Sequence, residues 1–175
     1  MKTIAIRGSA CAVGQQLGAF GREAWHTKIR QTALWQTVTA MKTAEQTQRM
    51  RAAVQAQFPL IWQELEGMAE GLQAPVEEVF AWNCRGDLVR STSDGCTTLA
   101  GRSAEGELII AHNEDGFPQL RGDCAIVHVT PDAGLAFTSF AYPGSLCGHT
   151  FAVNEKGIVT VSYTHLRAHE TSLHL

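Results

Sequence analysis

Between residues 12 and 58, Leu17, Phe20, Ala24, Ile29, Ala33, Leu34, Val38 and Met41 recur at helical intervals in a stretch free of proline. The stretch is rich in Ala, Gln, Leu, Met, Lys and Arg, so the period predicts one long helix or two. A second helical pattern runs from 59 to 72, with Pro59 suited to the first helical position, where its missing N–H costs nothing. Pro75-Val76-Glu77-Glu78 opens a third, its acids placed where the positive end of a helix dipole favours them. Ahead of all three, residues 2–7 alternate weakly and predict a short strand closed by Gly8-Ser9.

The pattern changes at Gly95. Residues 97–102 and 108–112 are β-rich and are joined by Ser103-Ala104-Glu105-Gly106, a hairpin signal. Residues 124–129 predict another strand, ended by Pro131-Asp132-Ala133-Gly134. Residues 135–141 follow, then the turn Tyr142-Pro143-Gly144. Residues 149–153 and 158–161 flank Asn154-Glu155-Lys156-Gly157. Helices first and an antiparallel meander of about six strands second is an α+β order.

Composition narrows the class of protein. Of 175 residues, 45% are hydrophobic and 18% charged, which is globular and not disordered. A net charge of -3 and a pI near 6.1 point away from nucleic acid and from acidic membrane surfaces. No apolar run approaches the roughly 20 residues of a membrane span, and the first residues have no secretory pattern. Cys11, Cys84, Cys96, Cys124 and Cys147 are odd in number and form no C-x-x-C pair, which fits reduced thiols and a cytoplasmic location. None of the seven histidines stands in H-E-x-x-H or at zinc-site spacing from a cysteine, so no metal is expected. The four tryptophans, Trp25, Trp35, Trp62 and Trp82, are expected in the core.

The candidate chemistry lies around Cys96, in Ser93-Asp94-Gly95-Cys96-Thr97-Thr98-Leu99. A cysteine alone is more often an inert buried residue. Here it follows Asp94-Gly95, and glycine permits the strained backbone that cleavage at the preceding carbonyl demands. Cutting Gly95-Cys96 would expose a residue carrying both a thiol nucleophile and an α-amine base, the latter with an unperturbed pKa of about 7.7–8.0. One hairpin later comes His112-Asn113-Glu114-Asp115-Gly116, which taken alone reads as a polar turn.

Residues 93–116 resemble the acyl-coenzyme A:6-aminopenicillanic acid acyltransferase family of N-terminal-nucleophile hydrolases, precursors cut before a cysteine in a Gly-Cys-Thr-Thr-like context. Leu65-Glu66-Gly67-Met68-Ala69-Glu70-Gly71 is similar to a helix of that family's prosegment. Trp82-Asn83-Cys84-Arg85-Gly86-Asp87 resembles its pattern before the cut, and Arg7-Gly8 with Gln16-Leu17-Gly18 resembles its opening. The resemblance spans about residues 4 to 161. It implies an αββα sandwich, incomplete here, with residues 1–95 as a helical prosegment and 96–161 as the start of the catalytic chain.

Carried over residue by residue, the resemblance makes Cys96 the nucleophile, Gly95-Cys96 the self-cleavage bond and Asp115, 19 residues on, the carboxylate that orients the new amine. It puts Asn113 in the same catalytic pocket. Glu114 is a candidate for the substrate pocket, as is His112, which stands where the related bile-salt hydrolases carry arginine. The implied activity is amidohydrolase or acyltransferase chemistry through an acyl-enzyme on a small-molecule or short-peptide substrate, with no cofactor and with acyl-coenzyme A as a possible substrate. No nucleic acid or membrane partner is implied; the two chains of one precursor would stay together. A cysteine dipeptidase of the same superfamily, and a non-catalytic fragment binding peptides along a sheet edge, remain open. Residues 162–175 hold three of the seven histidines and resemble the translated sequencing-adapter tails of metagenomic gene fragments. They are expected to be a non-native tail on a truncated copy. The oxyanion asparagine expected near Ser162 is missing, so this copy is expected to be inactive.

Overall fold

The computed structural model describes residues 1–89, 96–114 and 116–161. The first strand, β1 (Lys2–Gly8), ends on Gly8 with φ of +124°, a backbone state that a Cβ disfavours. Ser9 then caps α1 (Ala10–Thr27), its side chain accepting from the Ala12 N–H at 3.3 Å. The helical region expected between 12 and 58 is divided more finely than one or two helices. A 3-10 turn at Ile29–Gln31 ends α1, and Thr32 caps α2 (Ala33–Ala40). A turn over residues 41–44 precedes α3 (Glu45–Gln57). The expected second helix is α4 (Pro59–Leu72), with Pro59 in its first turn and Gln73 closing it in the left-handed region at φ 56°. Then come α5 (Val76–Asn83) and the single turn α6 (Arg85–Leu88).

α1 and α4 meet along a seam of glycines. A Cβ added at Gly14 would collide with the Glu64 carbonyl, at Gly18 with that of Met68, at Gly67 with that of Cys11 and at Gly71 with that of Gln15. The Gly14/Gly18 and Gly67/Gly71 spacings are each one helical turn, so both helices present a flat stripe and their backbones approach closely. Three of the four glycines stand in the segments that carried the family resemblance. Trp25 and Trp82 pack edge to face at 6.1 Å beside this seam, and Trp62 meets Phe80 at 5.7 Å. Trp25, Trp62 and Trp82 are buried; Trp35 is half-buried under the Arg30 guanidinium.

The strands depart from a simple meander in two respects. β2 (Cys96–Arg102) and β3 (Leu108–Glu114) form a separate antiparallel pair. The larger sheet runs β1-β4-β5-β6-β7, with β4 at Ala125–Pro131, β5 at Phe137–Ala141, β6 at Phe151–Asn154 and β7 at Val159–Val161. Its first strand comes from the other end of the chain: β1 pairs parallel with β4, Ile4 against Val127 and Ile6 against Val129, so the sheet is mixed. A parallel pair needs a long crossover, and the six helices supply it.

Burial along β4 alternates strictly. Ala125, Val127 and Val129 are buried in the core with α1 and α4, while Ile126, His128 and Thr130 point to the second face. The β2–β3 pair stands over that second face, where β3 and Phe140 and Phe151 of the sheet line a common cavity. The helices grip the sheet through Asn83, whose amide donates to the Gly144 carbonyl at 3.0 Å and accepts from the Leu146 N–H at 2.9 Å. Gly144, at φ 70°, lies against the Trp25 ring with no space for a side chain.

Candidate active site

The chemistry-bearing residues are ordered by the register of one hairpin. Cys96 pairs with Glu114 and Thr98 with His112. Directly opposed residues of an antiparallel pair share a face, and alternate residues of one strand share it too. Cys96, Thr98, His112 and Glu114 therefore project together, and ligand atoms of Cys96, His112 and Glu114 all lie within 4.8 Å of one another. Thr97 and Asn113, the intervening pair, are exposed and belong to the opposite face.

Within the cluster, His112 Nδ1 is 2.9 Å from the Thr98 hydroxyl, a contact that fixes the ring plane. Its Nε2 lies 3.7 Å from a Glu114 carboxylate oxygen, too far for a hydrogen bond. Both of those atoms are buried and have no hydrogen-bond partner. Burial holds the Glu114 carboxyl above the usual carboxylate range, opposed by Tyr142, His112 and Arg85. The Tyr142 phenol is driven up by its own burial and then by the Glu114 charge. A cavity of about 260 Å³ opens beside these groups, lined by Ile110, His112, Glu114, Phe140, Tyr142 and Phe151 among others. His112, Glu114, Tyr142 and Thr150 give the cavity polar groups and Ile110, Phe140 and Phe151 apolar ones, the usual make-up of a small-molecule site.

The other thiols have no such setting. Burial, helped by Asp87, pushes Cys84 up to about 11; burial, helped by Asp123 and Glu114, does the same to Cys124. Burial and the nearby Glu64 push Cys147 up to about 12, and burial raises Cys11. Burial thus disfavours the thiolate at all four, and the thiolate is the nucleophile.

The structure thus brings Cys96 together with the two pocket candidates, His112 and Glu114. It does not bring Asn113 to them. Asp115 and Gly95 lie outside the described residues. Arg85 and Asn83, upstream of Cys96, are framework: Arg85 stacks on Trp82 at 4.9 Å and on Phe117 at 5.8 Å, and donates to the Trp82 carbonyl. Two neighbours went unnoticed in the sequence. Thr98 was legible in principle, since the two-residue alternation of a hairpin puts it on the cysteine's side. Tyr142 comes from the end of β5 and carries no local signal.

These elements define an α+β protein with a thiol, an imidazole and a carboxylate gathered on one hairpin face above a small cavity. The model of the acyl-coenzyme A:6-aminopenicillanic acid acyl-transferase family matches residues 102–174, the same family that residues 93–116 resemble. The matched span starts at the last residue of β2, takes in β3 to β7, and runs on into residues 162–174. No curated protein matches the chain. Among the described residues no helix is long and apolar enough to cross a membrane.

Proposed function

We propose that this chain belongs to a self-processing cysteine N-terminal-nucleophile amidohydrolase or acyltransferase, built on the αββα plan, with Cys96 as its nucleophile. The observation that carries the reading is the position of Cys96: it opens β2, beside His112 and Glu114 and next to a cavity, immediately before a span that matches an acyl-transferase family. The layering supports the same plan. Helices cover one face of the mixed sheet and the β2–β3 pair stands over the other, as the start of a second sheet would.

In self-processing, the Cys96 sulfur attacks the Gly95 carbonyl carbon, and the Cys96 nitrogen leaves as a free amine. Water then hydrolyses the thioester, giving a Gly95 carboxylate and restoring the thiol. In turnover the freed α-amine, with an ordinary pKa of about 7.7–8.0, takes the thiol proton as sulfur attacks an amide or thioester carbonyl. The acyl group then passes to water or to an amine. Ile110, Phe140 and Phe151 give the cavity an apolar wall suited to the hydrocarbon part of an acyl group. Asp115 would orient the amine. Acyl-coenzyme A is a candidate donor, and the two chains formed by cleavage would remain associated through the β1–β4 pairing and the Asn83 clamp.

Intact-mass spectrometry of the purified full-length natural protein tests this. Two fragments meeting at Gly95/Cys96 are expected, with Cys96→Ala remaining whole. A wild-type chain that stays intact on long incubation, or an alanine variant cut at the same bond, overturns the reading.

A further inference from the structure

We propose that Cys96, His112 and Glu114 form a binding site for a thiophilic divalent cation of the zinc type. The spacing of these residues along the chain argued against any metal, because none of the familiar short motifs is present. The hairpin register reverses that conclusion by putting positions 96, 112 and 114 on one face. Their donor atoms are a thiol sulfur, an imidazole nitrogen and a carboxylate oxygen, all mutually within 4.8 Å. Around a tetrahedral zinc, bonds of about 2.0–2.3 Å put ligand atoms about 3.3–3.7 Å apart. The 3.7 Å separation of His112 Nε2 from the Glu114 oxygen fits that spacing and is too long for a direct hydrogen bond.

A second observation points to a ligand. The His112 side chain is only 4% exposed, its Nε2 is unpartnered, and the facing Glu114 oxygen is unpartnered too. Two buried polar atoms without partners are unfavourable, and one cation between them satisfies both. The outer shell is in place: Thr98 holds the other ring nitrogen of His112, as metal-ligating histidines require. The mixed sulfur, nitrogen and oxygen set selects zinc or cobalt over magnesium or calcium. Three protein ligands leave the fourth position open. On binding, the Cys96 thiol gives its proton to solvent and its sulfur bonds the metal. Zinc would then be a reversible inhibitor of the reaction proposed above; that consequence rests on the catalytic reading, whereas binding itself does not.

Cobalt(II) titration of the full chain is the test, because a thiolate–cobalt bond has its own near-ultraviolet charge-transfer absorption. One cobalt per chain with that absorption is expected, displaced by zinc. Cys96→Ser should abolish it, His112→Ala and Glu114→Gln should weaken binding tenfold or more, and Cys11→Ser should leave it unchanged. Glu114→Gln, nearly isosteric, serves if the serine variant fails to fold by circular dichroism. Absorption that survives in Cys96→Ser, binding indifferent to both His112→Ala and Glu114→Gln, or binding lost only when His165, His169 and His174 are replaced overturns the proposal. A chain that binds cobalt but is never cut at Gly95-Cys96 would overturn the catalytic reading and leave the metal site standing.

Discussion

The α1–α4 seam and the β2–β3 hairpin are opposites in construction. At the seam, backbone lies on backbone across four glycines, with Leu17, Leu65, Met68 and Leu72 buried around them. The hairpin is a two-stranded pair whose Leu99, Leu108 and Ile109 are 67%, 68% and 50% exposed. Two strands alone are marginal in water. Yet the hairpin carries the thiol, the imidazole and the carboxylate, and the seam carries none of them. Stability and chemistry are thus assigned to different layers, with the sheet between them. A residue that looks distinctive in the sequence can belong to either: the glycines of Leu65–Gly71 are packing, whereas Cys96 stands in the thiol, imidazole and carboxylate cluster.

The largest effect expected from breaking this contrast is at the seam. Gly18→Val or Gly71→Val forces backbone against side chain between two helices, and a loss of more than about 4 kcal/mol, in practice an unfolded chain, is expected. Circular dichroism melts read it directly; a variant as stable as the parent would mean that the helices do not cross there.

Next comes the clamp between the layers. Asn83→Ala strands the Gly144 carbonyl and the Leu146 N–H, and should cost about 2–4 kcal/mol in chemical denaturation. A loss below about 1 kcal/mol would show that the turn does not depend on α5.

A pH-dependent contribution follows from Glu64, half-buried at the rim of an apolar cleft that includes Val13, Leu60 and Phe137. Burial pushes its pKa up to about 7. The folded state therefore prefers the protonated form: the penalty is absent below about pH 4.5, grows as pH rises towards 7 and is complete above it. Glu64→Gln should raise the melting temperature at pH 8, by an amount worth up to about 3 kcal/mol, and change it little at pH 4. An equal gain at both pH values would show that charge is not the cause.

The smallest effects belong to the outer side of the hairpin. Leu99→Thr and Asn113→Ala should shift stability by no more than about 0.5 kcal/mol. Asn113→Ala should also leave cleavage at Gly95-Cys96 unchanged, because Asn113 faces away from Cys96. A large loss of cleavage in that variant would return Asn113 to the site.

Much of the architecture was legible along the chain. Pro59, Pro75 with its following acids, and the change of period at Gly95 mark real boundaries, because caps, prolines and periodicity act within a few residues of themselves. The break of α1 at Ile29–Gln31 was not legible, since nothing local forbids the helix from continuing. The parallel pairing of β1 with β4 was equally hidden, because it joins segments more than a hundred residues apart.

The site divides in the same way. The sequence by itself put a cysteine just ahead of a hairpin and a histidine at the end of its return strand, with asparagine and glutamate following in what alone reads as a polar turn; in the structure both strands extend to take them in. The sequence also determined the glycines that let two helices touch. Only the tertiary structure decided which of those return-strand residues meets the cysteine. Ser103–Gly106 alone would allow a tighter loop that pairs Arg102 with Glu107 and sets Cys96 opposite Asn113. The observed loop runs from Ser103 to Glu107, Arg102 pairs with Leu108, and Cys96 meets Glu114. One residue of register exchanges the two faces of a strand. The face with His112 and Glu114 turned inward is the one that adds Ile110 to the cavity wall with Phe140 and Phe151, a contact that only the assembled layers provide.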